Sequence, residues 1–125
     1  GTNENTNGLL WQYFPKGTDL SLQCSYTYGA TMRITWDGAK NQTNQSKHGI
    51  CFETAQHVFD DPLHLSRQDR IENGELRWQT IGSVGGVLVL LVAHTVMDTG
   101  GEETIRIISA RKADRTERRI YEQGA

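Results

Sequence analysis

Apolar and polar residues first fall into a regular pattern at Met32. Met32, Ile34 and Trp36 alternate with Arg33, Thr35 and Asp37, which predicts a strand, and Asp37 is placed to cap a helix over the polar run GAKNQTNQSKHG that stops at Gly49. Its Asn, Thr and Ser content gives that helix a weak propensity, so fraying is expected. In CFETAQHVFDDP, Phe52, Ala55, Val58 and Phe59 recur at spacings of three and four until Pro62, which predicts the firmer of two helices. Three strand segments follow, LHLSRQD, LRWQTIGSV and GVLVLLVAHTV, separated by RIENGE and by Gly85-Gly86; this is the chemistry of an antiparallel meander. The third is apolar on both parities, as a central strand covered on both sides must be. DTGGEE turns the chain into TIRIISA, and a basic helix from Ala113 to Gln123 ends it. The sum is an α+β domain over residues 32–125. It has an antiparallel sheet of about five strands, two helices after the first strand and a C-terminal helix. Residues 1–31, rich in Asn, Thr, Gly and Ser without a period, read as an N-terminal extension with no independent function.

The length of 125 residues suits one compact domain. A net charge of -2 excludes a uniformly basic nucleic-acid binder, yet residues 111–119 carry Arg111, Lys112, Arg115, Arg118 and Arg119 against Asp114 and Glu117. Cys24 and Cys51 are too few for a disulfide framework and have no metal-ligand spacing, so reduced thiols are expected. VLVLLVAHTVM is too short to span a bilayer as a helix, and no signal-peptide pattern opens the chain. A cytoplasmic protein without a membrane partner is the expectation.

Two resemblances enter at this point. The pieces WDGAKNQTNQSKHG, FETAQHVFDDP, GELRWQTIG, VLVLLVAHT and IRIISARKADRTERRIYE, in that order between Met32 and Gln123, resemble the BrnT toxins. These are ribonuclease partners in type II toxin-antitoxin modules and relatives of RelE-type toxins. The resemblance implies a RelE-like fold, RNA as substrate, no cofactor and no metal. It also implies a BrnA-like antitoxin, with promoter DNA reached only through the complex with that antitoxin. Separately, GTNENTNGLLWQYFPKGTDLS resembles a stretch of insertion-sequence DDE transposases in which Glu4 would be a metal-binding carboxylate, although Trp11 replaces the usual basic residue. One carboxylate does not make a two-metal site, so a remnant fused upstream is the reading.

Metal-free RNA cleavage needs a base for the 2'-hydroxyl, an acid for the leaving oxygen and cations for the phosphorane. The catalytic candidates are His48, Glu75, Arg77, Arg106 and Arg111. Arg106 is out of phase with Ile105 and Ile107 and so faces the other way; it is either a phosphate contact or a rim ion pair. Arg111 ends the same strand. Arg77 can reach the face of Arg106, with Glu75 as its base or merely its ionic partner. His48 is an acid-base residue or a helix C-cap. Lys47, Thr95, Lys112, Arg115, Arg118 and Arg119 are the RNA-binding candidates, the helical ones being otherwise a solvated face. The Asp60-Asp61 pair is expected to be solvated rather than metal-binding, His94 to be a core residue, and His57 and His64 to lie on the surface. Trp36 and Trp78 belong to the core; Tyr121 suits core or base stacking. The reading is a translation-inhibiting endoribonuclease toxin. The alternatives are a catalytically inactive antitoxin-binding co-repressor and a nonenzymatic RNA-binding domain.

Overall fold

The computed structural model describes residues 11–13 and 31–124. Strand β1 (Thr31–Trp36) leads to helix α1 (Gly38–His48), a short α2 (Phe52–Ala55) and a 3-10 helix (Gln56–Asp60). Then come β2 (Leu65–Glu72), β3 (Glu75–Val84), β4 (Leu88–Thr99), β5 (Glu102–Lys112) and α3 (Arg115–Gln123). The five strands form one sheet in the order β1-β5-β4-β3-β2, with β1 parallel to β5 and every other pairing antiparallel. β4 is the central strand, and its doubly apolar pattern follows from that position. No helix among the described residues is long and apolar enough to cross a membrane.

The strengths of the first two helices are the reverse of the expectation. α1 is a complete helix of 11 residues, closed by the Asp37 side chain on the Lys40 N–H and by Gly49 at φ 73°. What propensity withholds, a tertiary contact supplies. β1 covers β5 only as far as Ile107, and beyond it the side-chain amide of Asn44 takes the place of a neighbouring strand. Asn44 donates to the carbonyls of Ala110 (2.8 Å) and Ile50 (2.8 Å) and accepts from the Ala110 N–H (3.0 Å). The segment expected to be firmer is a single α-turn that tightens into the 3-10 helix. That path presses Val58 onto Gly82 of β3, where a Cβ would come within 2.8 Å of the Val58 Cβ and carbonyl oxygen.

Phe52, Ala55, Val58 and Phe59 fill one face of the sheet against Leu90, Val92, Ile105 and Ile107. Trp36 packs against this core and Trp78 is buried. Within it, Ser66 bonds Thr80 (2.7 Å) and Thr80 bonds the His94 Nε2 (2.7 Å), while Nδ1 faces the Thr95 carbonyl (3.3 Å) and the Phe59 ring packs edge-on. The carbonyl requires a proton on Nδ1, so Nε2 accepts from the Thr80 hydroxyl. His94 is wholly buried, and burial pulls its pKa from 6.5 down to about 4.

This depressed pKa makes the fold acid-sensitive. Between about pH 6.5 and about pH 4 the unfolded chain binds a proton that the native imidazole refuses, so stability falls as pH falls through that window and the His94 contribution levels off below it. The full loss is about 3 kcal/mol. Urea midpoints across the window are expected to drop more steeply for the natural chain than for His94→Gln; parallel curves would refute the assignment.

His64, expected at the surface, is 5% exposed. Its Nδ1 lies 2.7 Å from the Asp61 carbonyl and its ring packs on Tyr13. Asp60 is exposed as expected, but Asp61 is half-buried: it accepts from the Ser83 N–H (2.7 Å), the Leu63 N–H (2.9 Å) and the Tyr121 hydroxyl (2.6 Å), tying α3 to β3. Burial opposes ionisation of Asp61, but these donors outweigh it and hold the carboxyl below its ordinary value. Burial and the same bond push Tyr121 up to about 12, so Tyr121 is a structural anchor.

Candidate active site on the arginine face

The other face of the sheet carries arginines. Arg70, Arg77, Thr95, Arg106 and Thr35 are consecutive cross-strand partners and therefore form one row. Two β-bulges build this face. In β2 the extra residue is Asp69, and in β5 it is Ile108. Each reverses the alternation on one side of itself, so Arg67 joins Arg70 and Arg111 joins Arg106 on one surface. Strict alternation would send Arg67 and Arg111 to the opposite face.

At the end of the row, Asp37, Lys40, Asn73, Glu75, Arg77, Arg106 and Ile107 line an open pocket of about 450 Å³. The Glu75 carboxylate is the bridge within it, 2.7 Å from an Arg106 nitrogen and 3.8 Å from an Arg77 nitrogen. Arg77 also meets Glu72 at 3.6 Å, and its buried Nε has no hydrogen-bond partner among the described residues. The side chain of Arg77 is 13% exposed and that of Arg106 45%, so one guanidinium is set into the wall and the other reaches into solvent. Exposed pairs of this kind are worth little, so an incoming phosphate can take Arg106 from Glu75 at small cost. The exchange leaves a free carboxylate beside the bound anion.

The structure thus brings Glu75, Arg77 and Arg106 together, with Thr95 between the two arginines in the row. It does not bring His48 or Arg111 into that pocket. His48 and Lys47 line a separate groove with Ala39, Thr43, Asn44, Ile108 and Ser109; Lys40 borders both cavities. Arg111 lies on the same sheet face, opposite Leu91, four β4 positions from Thr95, or roughly 13 Å at the usual rise of a strand. There it is committed to Glu117 through two bonds of 2.7 and 2.8 Å, which raise its pKa further. Glu117 also closes the capping box of α3 with Asp114, so Arg111 locks the helix start. Lys112, Arg115, Arg118 and Arg119 are exposed beyond it, and none makes an ion pair among the described residues.

Lys40 is the residue that sequence reasoning missed. Its position three residues after the Asp37 cap was legible, but not that the first turn of α1 abuts Arg106. The same holds for Asn73, whose φ of 53° in the β2–β3 turn brings it to the pocket rim. Glu4 and Cys24 lie outside the described residues. Among the described residues no group of three His, Cys, Asp or Glu side chains stands close enough to hold a metal ion.

A search of curated proteins returns no match. Among solved structures, the chain is similar to the 1.1 Å crystal structure of the Brucella abortus ribonuclease toxin BrnT, at 28% identity and a TM-score of 0.48, covering 68% of this chain and 100% of that one. The family model for BrnT, the ribonuclease toxin of type II toxin-antitoxin systems, matches residues 36–117. That span holds β2 to β5 and each of Lys40, His48, Glu75, Arg77, Arg106 and Arg111, so the chain belongs to the BrnT family of ribonuclease toxins.

Proposed function

We propose that this chain is a metal-independent endoribonuclease that arrests translation in the cytoplasm and is neutralised by a BrnA-like antitoxin, whose complex with the toxin reaches promoter DNA. The observation that carries the reading is the Glu75 carboxylate held between Arg77 and Arg106 in an open pocket. In this scheme the scissile phosphate displaces Glu75 from Arg106, and Arg106, Arg77 and Lys40 hold its charge. Glu75 takes the 2'-hydroxyl proton while O2' bonds to phosphorus. The P–O5' bond breaks, and the leaving O5' takes its proton from water that enters the open pocket; His48, in the neighbouring groove, contacts the strand beyond the scissile phosphate. The products are a 2',3'-cyclic phosphate and a 5'-hydroxyl. Lys47 and Thr95 hold flanking phosphates. Lys112, Arg115, Arg118 and Arg119 attract the strand over a longer range, an effect that weakens with salt.

The test is inducible expression in bacterial cells, with and without the protein encoded beside the gene. Growth arrest accompanied by RNA fragmentation, and relieved by the neighbour, is the expected result. Arrest that survives Arg106→Ala, or unbroken RNA under full induction, would instead leave a binding module that represses with its partner.

A further inference from the structure

Trp11, Gln12 and Tyr13 lie upstream of the family match, yet they are built into the domain. Gln12 exchanges two backbone hydrogen bonds with Ser66 on β2, the open edge of the sheet, at 2.8 and 2.6 Å. Trp11 is 4% exposed, seated on Leu65, Ile81 and Leu91, with Val89, Ile120 and Tyr121 around it and the Arg67 guanidinium 4.4 Å over its ring. Tyr13 packs on His64. Leu65, Arg67, Ile81 and Leu91 all belong to the matched region 36–117, whereas the indole that covers them comes from outside it. The module therefore carries an apolar slot beside an unpaired strand edge and does not itself supply the filling.

We infer that the β2 edge and the indole slot together form a docking site for an extended polypeptide strand with a large aromatic anchor, occupied here in cis by residues 11–13 and in trans by the antitoxin. Reciprocal N–H to carbonyl pairing with an edge strand is a peptide's chemistry, and the adjacent pocket selects the side chain that alternation delivers to it. A nucleic-acid strand has no such repeating donor and acceptor pair. The site lies on the arginine face, with the Arg67–Gln79 pair between it and Arg77, so a strand docked there shares one sheet surface with the catalytic pocket. Cis occupancy lowers the apparent affinity for the trans strand by the fraction of time the slot is filled. This inference rests on the toxin-antitoxin reading for the identity of the trans partner, but not for the existence of the site.

The test uses the full chain, Trp11→Ala and Gln12→Pro, with two probes: a labelled peptide of residues 9–15, LLWQYFP, and the protein encoded beside the gene. Gln12→Pro removes only the N–H that reaches Ser66 and leaves the indole intact, which guards against a folding defect in Trp11→Ala. Both probes are expected to bind each variant at least about tenfold tighter than the natural chain, and to displace one another. Equal affinity for all three chains, or a peptide that never competes with the neighbour, would overturn the docking site. Displacement of the peptide by labelled RNA in place of the neighbour would overturn it too, in favour of a nucleic-acid groove. A neighbour that binds no form while RNA is still cut removes the trans occupant and leaves the ribonuclease reading standing; RNA left intact with both probes bound does the opposite.

Discussion

Arg106→Ala is expected to slow RNA cleavage by about 10²–10³-fold, the usual result of removing one preorganised donor from a developing oxyanion. The side chain lies at the surface of β5 with Glu75 as its only described ionic partner, so the loss should appear in the rate and not in the fold. Arg106→Lys keeps the charge but loses the planar fork, and an intermediate defect of about tenfold follows. Glu75→Gln separates two roles that the sequence left open. If Glu75 is the base, cleavage falls about 10²-fold or more; if Glu75 only restrains Arg106, the variant cuts as fast or faster. Rates on a short labelled RNA, together with thermal melting of each variant, decide between these outcomes.

Asn44→Ala is expected to destabilise the domain by about 3–5 kcal/mol, because it strands the Ala110 N–H, the Ala110 carbonyl and the Ile50 carbonyl at once. Ala110 is fully buried, so water cannot replace the lost amide without opening the sheet edge. Asn44→Asp is the sharper test. The carboxylate can still accept from the Ala110 N–H, but it turns an acceptor toward two carbonyls that need a donor. Aspartate is therefore expected to be no better tolerated than alanine. Urea unfolding at neutral pH measures both; an Asp variant close to the natural chain would show that the two donated bonds contribute little.

Alternation carried much of this structure from sequence to fold. The spacing of Ile105, Arg106 and Ile107 put a guanidinium on the face away from the core, and the doubly apolar β4 announced a central strand with His94 inside it. The pattern failed where a residue's setting is fixed by its partners. A bulge leaves no mark on hydrophobic period, so Asp69 and Ile108 hid the gathering of Arg67, Arg70, Arg77, Arg106 and Arg111 on one surface. Propensity ranked α1 below the segment after it because the Asn44 amide counts against a helix in isolation, while in the fold it secures one. Arg111 and His48, at element ends, stood beside the mid-strand Arg106 as catalytic candidates; only the tertiary arrangement gave Arg111 to Glu117 and His48 to a neighbouring groove. Trp11 did carry a signal, being a large aromatic in a polar segment, but its seat is made of residues more than fifty positions away.

In the proposed reaction Arg77, Arg106, Lys40 and Glu75 drive attack by the RNA's own 2'-hydroxyl without a metal ion. The measurement that meets it most directly is end-group analysis of RNA cut by the purified full chain in excess EDTA. Undiminished cleavage leaving 2',3'-cyclic phosphate and 5'-hydroxyl termini is expected. Fragments ending in 3'-hydroxyl and 5'-phosphate, or cleavage that returns only when a divalent ion is added, would contradict it.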